Sequence, residues 1–195
     1  MKNSGMKNLT RLWAVPEIAE ILDHEAFRSM KYFRHHGRVS CRDHSIQVAL
    51  RAFGMAERLG ADRVAAARAA LLHDFYLYDW HTSGPGLHGF RHPSIALANA
   101  QRHFRLSRVE RDAIRRHMWP LTAVPPRYRE SIIVSLADKA VTLTDYLRSV
   151  RALFQVQKKR LGQKHGHGYD QGDDRDRNSR LEELAEADGN ALLAG

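Results

Sequence analysis

Apolar residues recur along this chain at intervals of three and four positions, the spacing that lines one face of an α-helix. The pattern is clearest over residues 48–59 and again over residues 133–147. No stretch alternates convincingly between apolar and polar residues, as a half-buried β-strand does. The sequence therefore predicts an all-α fold.

Local end signals divide this pattern into about six helices. Pro16 and Glu17 suit the first turn of a helix, and Gly60 closes the second predicted helix. Ser107 and Glu110 match the capping box, in which each side chain bonds the backbone of the other residue. The predicted helices cover residues 16–33, 44–59, 63–74, 93–104, 107–117 and 127–154.

The composition changes after residue 154, where glycine and charged residues become frequent. Such a segment buries too little apolar surface to fold by itself, so we expect residues 155–195 to form a flexible tail. Residues 1–15 resemble a loose arm, which leaves one helical domain over residues 16–154. A domain of that size can bury a sizeable core.

The composition, 43% hydrophobic and 27% charged, is that of a soluble globular protein. No apolar run approaches the roughly 20 residues of a membrane-spanning helix, and the first residues lack the apolar core of a signal peptide. Cys41 is the only cysteine, which excludes an internal disulfide. We therefore expect a cytoplasmic protein without a membrane partner.

The formal net charge of +9 permits nucleic acid, a membrane surface or small anionic molecules as partners. The arginines are spread through the helical patterns, and no helix carries a concentrated basic stripe. Solvated helix faces explain this distribution at least as well as a nucleic-acid footprint does. Nucleic-acid binding therefore stays an alternative, less favoured than a small phosphorylated ligand.

Histidine and aspartate residues interrupt the apolar pattern, mostly near predicted helix ends. Burying an imidazole or a carboxylate is costly unless a partner offsets the lost hydration. Asp138 is the sharpest case, because aspartate is a poor helix-interior residue and core positions flank it. Each residue alone also has a purely structural explanation. The residues in question are His44, His73, Asp74, His92, His117 and Asp138.

Four histidines and two aspartates form a mixed nitrogen and oxygen donor set. Such a set suits iron, manganese or another divalent transition ion. These residues include no cysteine, which argues against a structural zinc site. Because the ends of packed helices can converge on one cleft, we interpret the set as a candidate site for one or two divalent transition-metal ions, with iron or manganese preferred.

The order of these residues resembles the HD-domain superfamily of metal-dependent phosphohydrolases, whose pattern is His…His-Asp…Asp on an all-α bundle. The resemblance covers roughly residues 35–148 and implies an HD-domain-like bundle. In the simplest members, His44, His73, Asp74 and Asp138 would bind one ion. The matching segments are His44-Ser-Ile-Gln-Val-Ala49, Ala69-Ala-Leu-Leu-His-Asp74 and Ser135-Leu-Ala-Asp138-Lys.

His92 and His117 resemble the added histidines of a two-metal branch, in which the aspartate of the signature, here Asp74, bridges both ions. Bacterial symmetric diadenosine tetraphosphate hydrolases are similar in this layout. The HD-GYP cyclic-dinucleotide phosphodiesterases are similar too, but their lysine after His-Asp and their Gly-Tyr-Pro motif are missing here. Their substrate class is therefore not carried over.

The resemblance implies hydrolysis of a nucleotide or related phosphoester by a metal-activated water. Asp74 and Asp138 are the first catalytic candidates, and Asp138 can take a proton or orient the attacking water. Lys139 is a candidate for the substrate phosphate, although it points about 100° away from Asp138 around the helix. An exposed lysine without a catalytic role explains it equally well.

Four further residues are candidates for substrate contact. Arg116 can bind phosphate through paired donors, and His36 can approach the cleft from just before the first ligand histidine. Tyr76 and Trp119 can stack on a nucleotide base. Each also has a structural interpretation, as surface charge or as packing.

A second function class is a non-catalytic HD-type module that binds a nucleotide or a metal and regulates a partner. Such a module has no physical need for a complete ligand set, so the sequence favours the enzyme. The substrate, the number of ions and the oligomeric state stay open at this point.

Overall fold

The computed structural model of this chain describes residues 10–36, 39–80, 82 and 86–165. Helices account for most of these residues, so the predicted all-α class is confirmed. The chain separates into two compact units, residues 1–149 and residues 150–195. The second unit contains the last turns of the final helix, which ends at His165.

The helices begin and end close to the predicted positions in the middle of the chain and differ from them at both ends. Within the described residues, none of them has the length and the hydrophobicity that crossing a bilayer requires. In chain order they are α1 (Pro16–Asp23), α2 (Glu25–Ser29), α3 (Cys41–Leu59), α4 (Arg63–Leu72), α5 (His88–His103), α6 (Arg108–Arg116) and α7 (Arg129–His165).

The first predicted helix, over residues 16–33, is a series of short elements instead. Helix α1 ends because His24 takes an extended backbone, and its Nδ1 accepts a hydrogen bond from the Ala26 amide to cap α2. A 3-10 turn, Met30–Tyr32, follows α2. Two short antiparallel strands, β1 (Arg34–His36) and β2 (Val39–Ser40), then form a hairpin that is too short to produce an alternating pattern.

Helix α3 starts directly after this hairpin. The Ser40 hydroxyl accepts a hydrogen bond from the Asp43 amide at 3.1 Å, which caps the helix. Gly60 ends α3 with φ at +62°, a left-handed conformation that glycine adopts without a Cβ penalty. The hairpin and the cap together fix where the first turn of α3 begins.

Helix α5 begins at His88, five residues before the predicted start at Pro93. The added turn is held by hydrogen bonds from the amides of Phe90 and Arg91 to the Leu87 carbonyl, at 2.9 and 3.2 Å. His92 therefore lies inside the helix rather than before it. Because of this shift, the His92 side chain can donate a hydrogen bond to the His88 carbonyl of its own helix.

Helix α4 lies at the centre of the fold, and every residue from Ala66 to Leu72 is buried. Its alanines allow α3, α6 and α1 to pack closely around it. Arg68 is the one charged residue on this stretch, and its Nε donates to Glu110 of α6 at 2.6 Å. The guanidinium also donates to the carbonyls of Glu17 and Arg105, at 2.5 and 3.1 Å, so it joins three parts of the core.

We expect Arg68→Met to lower the free energy of unfolding by about 3–5 kcal/mol, because the buried Glu110 carboxylate would lose its charged partner. Chemical denaturation measures this value. The matched control is Arg63→Met, which removes an arginine that is about half exposed and pairs with Glu57 at the surface. We expect that control to cost less than about 1 kcal/mol. Equal losses in both variants would contradict a structural role for the buried pair.

Candidate metal centre

The six ligand residues predicted from the sequence lie together in one buried cluster, called the ligand cluster below. Helices α4 and α6 contribute residues that follow their last turns, and α3, α5 and α7 contribute residues within the helix. None of these side chains belongs to a residue more than 8% exposed. The members of the ligand cluster are His44, His73, Asp74, His92, His117 and Asp138.

Three histidines of the cluster are oriented by the backbone of their own helices. In each, Nδ1 lies within hydrogen-bond distance of a carbonyl oxygen three or four residues earlier. A carbonyl oxygen only accepts, so Nδ1 must carry the hydrogen, and in the neutral ring Nε2 carries a lone pair. Ligand histidines in metal sites are commonly oriented this way. The bonds are His73 to Ala70 at 2.7 Å, His92 to His88 at 2.9 Å and His117 to Ile114 at 2.9 Å.

The Nε2 atoms of His92 and His117 face each other at 2.9 Å. Because both rings donate through Nδ1, two lone pairs point at each other when the rings are neutral. A cation removes this repulsion. Two nitrogens bound at right angles to one ion, each about 2.1 Å away, would lie about 3 Å apart. Asp74 Oδ1 completes this first donor group, at 3.3 Å from His92 and 3.7 Å from His117.

A second donor group lies on the other side of the Asp74 carboxylate. His44 Nε2 and Asp138 Oδ1 are 3.1 Å apart. His73 Nε2 is 3.7 Å from that same Asp138 oxygen and 3.4 Å from Asp74 Oδ2. The two oxygens of Asp74 thus face different donor groups, as a carboxylate between two cations would.

The donor atoms are arranged to coordinate a divalent transition ion rather than to form hydrogen bonds with one another. His73 Nε2 is buried and has no hydrogen-bond partner among the described residues. Within the described chain, His44, His73 and Asp138 offer ligand atoms that all lie within 4.8 Å of one another, and so do His73, Asp74 and His117. Imidazole nitrogens with carboxylate oxygens suit iron, manganese, zinc and related ions.

The charges of the cluster also favour a cation. Burial alone would raise the pKa values of Asp74 and Asp138, but the surrounding histidines hold both well below the usual range. Burial lowers the pKa of His73, yet the two carboxylates outweigh it and raise that pKa to about 9. Burial, with the charge of His73, lowers the pKa of His117 to about 3. Of these two imidazoles, the one of His73 is therefore well protonated at neutral pH and the one of His117 is neutral, beside two anionic carboxylates.

His35 is a member of this neighbourhood that the sequence interpretation misses. It is 9% exposed, its Nε2 lies 2.8 Å from Asp74 Oδ2, and its ring stacks on His44 with centroids 3.7 Å apart. The sequence interpretation selects the next residue, His36, for substrate contact, and the side chain of His36 lies outside the described residues. A choice between these adjacent histidines needs the hairpin, which the sequence does not reveal.

His88 is a second missed residue near the cluster. Its ring stacks between Trp80 and His92, with centroid distances of 4.8 Å on both sides. Tyr78 contributes its hydroxyl, 3.0 Å from His88 Nδ1. This aromatic column supports the His92 ring from behind. The predicted helix start at Pro93 hides it, because His88 then falls in a loop.

Lys139 faces protein oxygens. Its ammonium donates to the carbonyl of His117 at 3.0 Å and to the hydroxyl of Ser135 at 2.7 Å. That hydroxyl in turn donates to the His117 carbonyl at 2.7 Å. Partial burial lowers the pKa of Lys139. These contacts join α7 to the residue that ends α6, so they hold His117 in place.

The predicted substrate residues occupy three kinds of position. Arg116 donates to Asp112 at 3.0 Å and to the Pro125 carbonyl at 2.7 Å, which stabilises the connection between α6 and α7. Tyr76 is buried, and its hydroxyl lies 2.9 Å from Cys41 Sγ. Trp119 is 42% exposed and follows His117 by two positions. Of these three residues, Trp119 is the one that is exposed.

We expect binding of a divalent ion to release at least one proton per chain at pH 7.5, because His73 has a pKa of about 9 and must lose its proton to coordinate. The association constant should therefore rise as the pH rises toward 9. Calorimetric titration with Mn²⁺ in two buffers of different ionisation enthalpy measures the proton count, and His103→Gln is the control outside the cluster. Binding without proton release would contradict the charge assignment.

A family model described as the HD domain matches residues 42–143, slightly more than half of the chain. The matched region contains the whole ligand cluster, and it begins seven residues after His35. Comparison with curated proteins and with solved structures gives no match. Members of the matched family bind divalent metals and are mostly metal-dependent hydrolases. The chain belongs to the HD-domain family, as the order of its histidines and aspartates predicts.

Proposed function

We propose that this protein is a metal-dependent phosphohydrolase that acts on a nucleotide or a related small phosphoester. The observation that supports this most strongly is the pair of Nε2 atoms on His92 and His117, which face each other at 2.9 Å beside Asp74. Helix backbones orient both rings, so the arrangement suits a cation rather than a hydrogen bond between them. Bound divalent ions would supply two things, polarisation of a phosphoryl oxygen and a water with a pKa near neutrality.

The chain would hold two ions, one in each donor group. His92, His117 and Asp74 Oδ1 form the first group, and His44, His73 and Asp138 form the second. Asp74 would contribute its second oxygen to that second group and so fix the spacing between the ions. A pair of ions about 3.5–4 Å apart is the usual arrangement for hydrolysis of phosphoesters.

Asp138 is the proposed acceptor for the proton of the attacking water. Its pKa lies well below the usual range, so the carboxylate is ionised at neutral pH and can accept a hydrogen bond from that water. A weak interaction with Thr142, at 3.4 Å, and the contact to His44 orient it. Because it lies in the middle of α7, its position is set by packed backbone rather than by a loop.

A covalent mechanism through cysteine receives no support from the surroundings of Cys41. The thiol is buried, and burial raises its pKa to about 12, so it is protonated at neutral pH. Only the thiolate is a good nucleophile. Direct attack by water therefore agrees better with the chemistry of the described residues.

The proposed partner is a small phosphorylated molecule. Trp119, beside His117, is the best candidate for stacking on a base, since its ring is substantially exposed. We reassign Lys139 as a positioning residue for His117, because its ammonium already donates to three protein oxygens. Arg116 and Tyr76 are proposed to act in packing, and a role for His36 in substrate contact stays a prediction.

The first test is the metal content of the purified chain, prepared without chelators or a histidine tag and reconstituted with Mn²⁺ or Fe²⁺. We expect about two ions per chain, and about one in His92→Ala and in His117→Ala, because each removes a ligand of the first donor group. The control His103→Ala should retain both ions. Wild-type protein that binds no ion would contradict the proposal.

The second part of the same test is hydrolysis. The loaded protein is assayed with nucleotides, dinucleoside polyphosphates and bis(p-nitrophenyl) phosphate, and product is measured by chromatography or absorbance. We expect turnover that both His92→Ala and His117→Ala reduce by about 100-fold or more. Two bound ions without hydrolysis of any of these substrates would favour the alternative, a non-catalytic module that binds metal or nucleotide.

A further inference from the structure

His35 lies beside the proposed metal centre, but it belongs neither to the ligand cluster nor to the matched family region. We infer that His35 is a positioning residue, whose Nε2–H donates to Asp74 Oδ2 and fixes the carboxylate that faces both donor groups. It does not itself bind an ion. This inference rests on the proposed function, since it assigns His35 a role in the same centre.

Among the histidines that the structure describes, His35 makes the shortest contact with the Asp74 carboxylate. The Nε2–O distance is 2.8 Å for His35, against 3.3 Å for His92 and 3.4 Å for His73. His117 is farther still, at 3.7 Å. A distance of 2.8 Å is that of a charge-assisted hydrogen bond. His35 is therefore the neighbour that determines the rotation of this carboxylate.

The ring stacking argues against His35 as a metal ligand. The rings of His35 and His44 are nearly parallel, with an interplanar angle of 11° and centroids 3.7 Å apart. An imidazole lone pair lies in the plane of its own ring, so an ion bound to His44 lies outside the plane of the His35 ring. In the arrangement observed, the two rings cannot direct their lone pairs at the same ion, although three candidate ligand atoms of His35, His44 and Asp74 lie close together.

The hairpin places His35 beside the start of α3, with an irregularity in the strand pairing between Arg34 and His36. Strand β1 pairs Arg34 with Ser40 of β2, and the Cys41 amide donates to the Phe33 carbonyl at 2.9 Å. The residues that flank His35 are thus tied to the first turn of the helix that carries His44. The ring is held from its backbone on one side and by stacking on the other. This is the support that a positioning residue requires.

Metal titration of three proteins tests the inference: wild type, His35→Ala and His35→Gln. Glutamine places an amide N–H donor near the position of histidine Nε2, but it is a poor ligand for a transition ion. We expect His35→Ala to bind Mn²⁺ about 10–100-fold more weakly at unchanged stoichiometry. His35→Gln should bind nearly as tightly as wild type. His103→Gln makes the same chemical change outside the centre and should match wild type.

Two outcomes would overturn the inference. If His35→Gln is weakened as much as His35→Ala, or loses an ion, then His35 is a ligand. If neither variant changes the Mn²⁺ affinity, then His35 does not control Asp74. Wild-type protein without any bound ion would instead defeat the proposed function, and the inference with it, so the two failures are distinguishable.

A measurement that does not require His35→Ala keeps the inference testable if that variant does not fold. Long-range ¹H–¹⁵N spectra report which ring nitrogen of a histidine carries hydrogen, and loss of a signal in His35→Gln assigns His35. With Zn²⁺ as a diamagnetic probe, we expect Nε2 of His35 to retain its hydrogen. Loss of that hydrogen on addition of Zn²⁺ would show direct coordination and overturn the positioning role.

Discussion

The architecture of this protein depends on the burial of two ionised carboxylates side by side. Asp74 is 3% exposed and Asp138 is 8% exposed, and an unpaired buried charge costs several kcal/mol. The neighbouring histidines offset part of this cost: the pKa of His73 rises to about 9, whereas burial lowers the pKa values of His44 and His117. We propose that divalent cations supply the remaining positive charge. The same contacts between cations and carboxylates would then support both stability and function.

Helix packing brings the donor residues together in one cluster. The alanine-rich helix α4 is buried along most of its length, so the residues that follow it, His73 and Asp74, enter the centre of the fold. Helix α6 ends beside them, and contacts from Ser135 and Lys139 hold His117 at that end. Backbone carbonyls near the helix ends then fix the imidazole tautomers. The geometry of the site is thus a consequence of where packed helices end.

The sequence predicts the ligand cluster because its members are chemical anomalies in an apolar context, as Asp138 is within α7. It does not predict His35, because the two strands of the hairpin have only three and two residues. Strands that short show no alternation of apolar and polar residues in the sequence. It also does not predict the partners of Lys139, since helical spacing gives a direction but not the oxygens that meet the ammonium. The prediction of one long helix over residues 16–33 is wrong for a local reason, because His24 ends the first helix and caps the second.

Anomalous diffraction from crystals loaded with Mn²⁺ would locate the bound ions among the donor groups. We expect two anomalous peaks on opposite sides of the Asp74 carboxylate. One peak should contact Nε2 of His92 and His117, and the other should contact Nε2 of His44 and the carboxylate of Asp138. A loaded, hydrolytically active crystal form with no anomalous peak among these residues would contradict the proposed two-ion centre.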